Sequence, residues 1–386
     1  MNKRIFFVTG ARSDFDLMSP IIRELENYSN LKASVVVCGA HLSPFHGNNI
    51  ENIKNDGFEI AGIIESLLSS ESWEGRSLSF AYLHEGLTRL LSKEMPDMVF
   101  VSGDREEALA AALVGCFLRI PVAHSHGGDR CLASDIDEVF RPAISKLVNL
   151  HFVATPDHAK RLEKMGEKKD SIWMTGAAGL DRWNKQTEQG NEIISKKYGL
   201  SKNQKYFLVI HHPSPTLSIE QGVAEIKAIL NAALSFDVPV FCSYPNFDPG
   251  NIAIRNEIDR FSKSHSKLIA YHNLPSDEFT SLYINASAIV GNSSSIVTES
   301  GFLKVPGILV GRRQELRSIG PNVLTIPAEK KAIIEACEKC LNDNDFKATV
   351  AQGISIYGDG TASKKIAKIL SEVEFNEESL LKTITY

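Results

Sequence analysis

Two histidines, two glycines, an acid and a cation fill His124-Ser125-His126-Gly127-Gly128-Asp129-Arg130, at the end of a short apolar run around Val122. Imidazole and carboxylate groups set close together can pass protons near neutral pH, and paired glycines let a ligand approach the backbone. Two histidines at spacing two could also ligate a metal, but such a site needs a third ligand. Proton transfer or sugar binding is the better reading. Asp135, Asp137, Glu138 and Arg141 follow at once, ahead of a helix predicted over 141–147. Several acids in a first turn complement the helix dipole, yet together with His126 and Asp104 they would supply the acid and base that sugar chemistry requires.

Other groups recur directly after apolar runs. Ser102-Gly103-Asp104-Arg105-Glu106-Glu107 opens the helical pattern AALAAALVG. An N-cap role accounts for Asp104 but not for Arg105. Thr9-Gly10-Ala11-Arg12-Ser13-Asp14 offers a tight turn and free helical N–H groups, a possible phosphate site with Arg12 beside it. It has neither the G-x-G-x-x-G spacing nor a P-loop lysine, which disfavours NAD binding and NTP hydrolysis.

Later in the chain, His211-His212-Pro213 and Tyr244-Pro245-Asn246 follow apolar runs. Gly291-Asn292-Ser293-Ser294-Ser295 starts a helical pattern carrying Glu299, and Gly311-Arg312-Arg313-Gln314 closes the series. One serine suffices for an N-cap. Ser293, Ser294 and Ser295 together read as an anion cradle, with Glu299 available to ribose hydroxyls. Arg313 can reach a base or a phosphate in bidentate fashion, although a solvated charge pair explains the spacing equally well.

These positions presuppose strands that end beside one another. Short β-rich runs alternate with helical patterns: a strand over 4–9, a helix over 15–27 and a strand over 32–37, then strands over 98–101, 122–123 and 151–153. A second series holds strands over 207–210, 238–242, 267–269, 288–290 and 307–310. The rhythm predicts an α/β protein of two Rossmann-like, doubly wound domains, with ligands beyond the carboxyl ends of the strands. The expected division is 1–175 and 176–362, with a hinge around 176–190. A C-terminal helix from Ser363, within 363–386, packs back on the first domain.

The 386 residues favour two domains over one core. With 42 basic against 47 acidic side chains the formal charge is -5, so no overall field attracts a nucleic acid. No window is apolar enough to cross a bilayer, and the start MNKRIFFVTG is too short for a signal peptide, which points to the cytoplasm. Of six cysteines only Cys337 and Cys340 are close, within the helical pattern IIEACEKCL. Without a second ligand pair they read as reduced thiols on a helix, and no metal is expected.

The strings GARSDFD, SGDREE, HSHGGD, DEVFRPAISKL, YPNFDPG, GNSSSIVTES, GRRQ and IYGDG stand in the order seen in hydrolysing UDP-N-acetylglucosamine 2-epimerases, a family this chain resembles from Arg4 to about Leu370. The resemblance implies a GT-B type fold with a central cleft and no cofactor. It also implies conversion of a UDP-linked 2-acetamido sugar, UDP-GlcNAc or a 2,4-diacetamido-6-deoxy relative, into the free 2-epimer plus UDP, usually for sialic-acid-type sugar synthesis. A homodimer or homotetramer is implied as well.

Carried over by motif, Ser293, Ser294, Ser295 and Glu299 bind diphosphate and ribose, with Arg12, Asn246 and Arg313 around the nucleotide. His212 and Arg105 face the phosphates or sugar. Asp104, Asp137 and the HSHGGD loop surround the reacting sugar. The expected catalytic set is Asp104, His126, Asp129, Asp137, Glu138 and Arg141. The chain differs from the family pattern at His126 and Asp129, where glutamate is frequent, and at Pro142, where histidine is usual. A GT-B glycosyltransferase and a non-hydrolysing 2-epimerase are the alternatives. HGGD in place of H-x-E-A-G argues against the latter.

Overall fold

A computed structural model describes residues 2–43, 50–68, 70, 72–131, 136–185, 192–201, 203–246, 248–272, 274–374, 380 and 382–385. In chain order the first set of elements is β1 (Lys3–Thr9), α1 (Arg12–Leu25), β2 (Leu31–Cys38), α2 (Ile50–Asn55), β3 (Ile60–Ile64), α3 (Trp73–Glu94), β4 (Met98–Ser102), α4 (Glu106–Leu118), β5 (Val122–Ser125), α5 (Asp137–Leu147), β6 (Leu150–Val153), α6 (Pro156–Lys164) and β7 (Ile172–Met174). The second is α7 (Glu192–Tyr198), β8 (Phe207–Ile210), α8 (Ile219–Ala233), β9 (Val240–Ser243), α9 (Asn251–Ser264), β10 (Leu268–Tyr271), α10 (Ser276–Ile284), β11 (Ala288–Gly291), α11 (Ser294–Thr298), β12 (Gly307–Val310), β13 (Val323–Ile326), α12 (Lys330–Asn342) and α13 (Asn344–Ala351), followed by α14 (Ala362–Glu372).

Two compact units result. One comprises Met1–Asp129, Ile136–Asp181 and Gly360–Tyr386; the other comprises Arg130–Asp135 and Arg182–Asp359. The division expected after residue 175 lies a little earlier in the chain than this one.

The first unit is built on a parallel sheet in the order β3-β2-β1-β4-β5-β6-β7. Strand periodicity sends alternate side chains of β1 to opposite faces. Ile5 and Phe7 join Met18, Ile21 and Leu25 of α1 and Ile366 and Leu370 of α14. Phe6 and Val8 join Leu83, Leu87 and Leu91 of α3. A sheet covered on both faces needs apolar residues at every position, which is why its central strands read as continuous runs rather than alternations.

The C-terminal helix is capped from far away in sequence. Asp181 accepts the N–H groups of Ala362 (3.2 Å) and Ser363 (2.7 Å), which the helix itself leaves unpaired. Farther along, buried Glu167 takes Lys146 and Lys382, each at 2.6 Å, and His151 at 3.1 Å, holding the segment 382–385 to this unit.

The second unit repeats the plan with the order β10-β9-β8-β11-β12-β13. Its core gathers Phe207, Val209, Ile226, Ile229, Val290 and Ile308 with Cys337 and Cys340 of α12. Both thiols are buried, and desolvation pushes Cys340 up to about 12 and Cys337 higher, so they pack as small apolar groups. Among the described residues, no three His, Cys, Asp or Glu side chains are grouped to hold a metal, and no helix is long and apolar enough to cross a membrane.

Three strands, β3, β7 and β13, have no counterpart in the sequence reading. Each is the edge of its sheet, and none is fully buried; Trp173 and Met174 of β7 are 40% and 61% exposed. An edge strand carries a weaker apolar signal because one flank faces water.

Candidate active site

Strand order fixes where a ligand belongs. In the first sheet the chain runs outward from β1 to β3 and then returns to β4. In the second it runs outward from β8 to β10 and returns to β11. The crevice at the carboxyl ends of each such strand pair is the customary ligand position in open parallel sheets. Gly10 and Gly103-Asp104-Arg105 follow β1 and β4; His211-His212 and Asn292-Ser293 follow β8 and β11.

In the first unit the acids converge on one buried cation. The Arg141 side chain, 5% exposed, is ion-paired with Asp104 through Nη2, donates from Nη1 to the His126 carbonyl (3.1 Å) and lies 3.9 Å from Asp129. Asp129 is also 3.2 Å from His158 Nε2. The loop between is pinned: Arg161 donates to the Gly128 carbonyl (2.8 Å), and Gly128, at φ 75, has no room for a Cβ, which would sit 2.3 Å from the His158 carbonyl oxygen. Arg141 thus orders three segments. It can do so because α5 begins at Asp137, earlier than the helix expected over 141–147, and turns Arg141 inward.

The two histidines of the loop part company. His124 ends inside β5, fully buried, and donates from Nε2 to the Gly103 carbonyl (2.7 Å); burial holds its pKa down to about 3. His126 takes φ 66, which breaks strand alternation, so spacing two does not place both rings on one face. Asp137 and Glu138 are half-buried in the first turn of α5. Asp104, with a side chain 20% exposed, is more open to a reactant than Asp129 at 3%.

The end of β1 departs from expectation. Asp14 folds back so that its carboxylate accepts the N–H groups of Gly10 (2.9 Å) and Ala11 (2.8 Å), as a capping-box acid does. The N–H groups of Gly10 and Ala11, just ahead of α1, are therefore already taken. Gly10 serves a different purpose: a Cβ there would lie 2.2 Å from the Glu107 carboxyl, and one at Gly39 2.5 Å from its Oε1. Glu107 fills that gap and grips Arg105 at both oxygens (3.0 and 3.3 Å). Burial, and the Glu107 charge after the opposing pull of Arg105, raise Asp14 to about 6. His41, 2.9 Å from Thr9 Oγ1, is held by burial down to about 4. Arg12, half exposed at the start of α1, pairs with Asp16 at 3.6 Å.

In the second unit Asn292 brackets His212, its amide accepting the His212 N–H (2.8 Å) and donating to the His212 carbonyl (2.8 Å). The imidazole Nδ1 accepts the Asn246 N–H (3.1 Å), while burial and the Arg313 charge lower its pKa to about 3. A ring with Nδ1 occupied as an acceptor carries its proton on Nε2. His212 is thus a neutral donor rather than a cation. Behind it, buried His211 faces Glu225 at 3.5 Å, and burial raises that acid to about 7.

Ser293 caps α11 by accepting the Ser295 N–H (3.3 Å), and its hydroxyl meets that of Ser295 (2.9 Å), whereas Ser294 is exposed. Glu299 stands at the C-cap of this short helix, not at its start, and pairs with Arg182 at 3.1 Å. Asn246 donates to Asp248 (2.6 Å). Arg313 donates inward to the carbonyls of Pro213 and Asn292, both at 3.2 Å, and comes within 3.9 Å of Asp248. It binds the loops after β8, β9 and β11 together. Glu107, Asp14, His41 and Asn292 were given no role from the sequence. Their one visible signal was that each stands just beyond a central strand.

The family model described as UDP-N-acetylglucosamine 2-epimerase matches residues 23–371. A Legionella pneumophila protein named UDP-N,N'-diacetylbacillosamine 2-epimerase (hydrolyzing) is 32% identical over 100% of both chains. A Neisseria meningitidis UDP-N-acetylglucosamine 2-epimerase is 30% identical over 90% of this chain and 89% of its own. Among solved structures, a UDP-GlcNAc 2-epimerase from Neisseria meningitidis bound to UDP-GlcNAc superposes with TM-score 0.81 at 21% identity, covering 95% of this chain and 99% of the other, which shows a shared GT-B-like fold of two Rossmann-like domains. With its motifs at the strand ends where both sheets reverse order, the chain belongs to the UDP-N-acetylglucosamine 2-epimerase family.

Proposed function

We propose that this chain is a hydrolysing 2-epimerase that converts a UDP-linked 2-acetamido sugar, UDP-GlcNAc or a 2,4-diacetamido-6-deoxy relative, into the free 2-epimer and UDP. The observation that carries the reading is the pair of carboxylates, Asp104 and Asp129, gathered on one buried guanidinium beside the His126 loop. The full-length likeness to a relative named as hydrolysing supports it.

The C2 hydrogen has no carbonyl beside it, so its removal must be coupled to loss of the group on C1. Asp104, the more open acid, takes the proton. The C2–H electron pair becomes the C1–C2 double bond of a glycal, and the C1–O bond breaks to release UDP. Charge grows on the departing diphosphate and calls for donors and cations; the first unit offers Arg12 and Arg105 for that role, and the second offers the neutral Nε2–H of His212 and the Ser294 and Ser295 hydroxyls. Water then adds its oxygen to C1 while a proton is delivered to C2 on the opposite face; His126, Asp129, Asp137 and Glu138 are the groups available. Glu299, Asn246 and Arg313 order the nucleotide side.

The test is turnover of UDP-GlcNAc and its 2,4-diacetamido-6-deoxy relative in deuterated water, without any acceptor. Free 2-epimer carrying deuterium at C2, together with UDP, is the expected outcome. An epimer still linked to UDP indicates the non-hydrolysing reaction, a requirement for an acceptor indicates a transferase, and unlabelled free sugar rejects elimination.

A further inference from the structure

We infer that Glu107 is a positioning residue whose carboxylate seats the guanidinium of Arg105 for the departing diphosphate, an inference that rests on the reading above. The seat is built by three parts of the first unit. Glu107 projects from the first turn of α4, its side chain 9% exposed, and holds Arg105 through Nε at 3.0 Å and Nη2 at 3.3 Å. On its other side it lies against the backbone at Gly10, just after β1, and at Gly39, just after β2. Neither position tolerates a Cβ while the carboxylate is there, since one would come within 2.2 and 2.5 Å of it.

Two strand ends have thus given up side chains to admit one acid between them. A surface ion pair needs no such accommodation and holds its partner loosely. A carboxylate wedged between two backbones cannot swing, and a bidentate grip fixes the guanidinium plane. Arg105 itself remains 41% exposed, so it can meet a ligand while its base is fixed. The second acid at this place, Asp14, is engaged with Gly10 and Ala11 and leaves Glu107 as the partner of Arg105. An arginine free to rotate would pay the ordering cost during each turnover; a seated one has met it on folding.

The experiment is a double-mutant cycle on kcat/KM with Glu107→Gln, Arg105→Met and the double variant, with Glu107→Asp as a charge-preserving control and melting curves for each. In the wild-type background Glu107→Gln lowers kcat/KM by about 10- to 100-fold, the weight of one charge-assisted pair. In the Arg105→Met background it changes kcat/KM by less than about threefold, because the residue acts only through that arginine. An equal loss in both backgrounds makes Glu107 a structural residue and overturns the inference, as does undiminished turnover in Glu107→Gln.

A readout without substrate separates the seat from the reaction. In protein labelled with 15N-arginine the Arg105 Nε–H signal is resolved and slow to exchange, persists in Glu107→Asp and is lost in Glu107→Gln. That pattern in a chain that turns over no UDP-sugar sustains the seat and condemns the functional reading; a signal unchanged in Glu107→Gln condemns the seat.

Discussion

The imidazole Nδ1 of His212 accepts the backbone N–H of Asn246 at 3.1 Å, which leaves the proton of the neutral ring on Nε2. Burial, then the charge of Arg313, holds the group down at about 3. His212 therefore does not change charge between pH 5 and 8, and its 15N resonances stay those of one neutral tautomer across that range. A ring that titrates near pH 6.5 in such a series contradicts the assignment. On the proposed function His212→Ala removes one donor to a phosphate and weakens UDP binding by about tenfold, as calorimetry can measure.

Arg141 compensates Asp104 and Asp129 together, so removing it takes away their shared cation, with His158 still beside Asp129. Arg141→Met should cost about 3–5 kcal/mol in urea unfolding. It should also abolish turnover, because the loop carbonyl at His126 loses its donor. Arg141→Lys keeps the charge but not the forked geometry and should recover part of the stability with little of the activity.

The buried carboxyl of Asp14 yields a pH dependence with a definite sign. Its pKa rises from 3.8 in the unfolded chain to about 6 in the folded one, burial first and the Glu107 charge against Arg105 thereafter. A group that binds its proton more tightly when folded stabilises the fold at low pH, and that contribution is lost as pH rises from about 4 to about 6. Relative to Asp14→Asn, the wild type should thus lose about 3 kcal/mol between pH 4 and pH 7. Paired urea titrations at the two pH values measure the difference; a difference that stays constant rules out the shift.

The last helix belongs to the core of the first unit, where Ile366 is 1% exposed among residues of β1 and α1. Ile366→Ala should destabilise that unit by about 2–5 kcal/mol. A loss below 1 kcal/mol in chemical denaturation would mean that α14 is not docked as described.

How much of this was legible beforehand follows the burial of each element. Central strands such as β1, β4, β8 and β11 hold uninterrupted buried apolar runs, Ile5 to Val8 in β1 and Met98 to Val101 in β4 among them, because helices cover both faces of a parallel sheet, and these runs declared them. The edges β3, β7 and β13 gave no such pattern. Residues following the central strands could likewise be picked out, since the strand ends locate a ligand crevice before any coordinates exist.

By itself the sequence determined the α/β class, the family and the short stretches that hold chemistry, because these depend on local periodicity and on residue order. What each residue does there was decided by tertiary structure. Gly10, read as the tight turn of a phosphate site, also leaves the space that Glu107 fills; Arg141, expected in the catalytic set, is the cation that Asp104 and Asp129 share. Glu299 looked like part of a helix start and stands at a helix end, paired with Arg182. A charged side chain takes its role from the partner that compensates it, and here those partners come from strands and helices far apart in the chain.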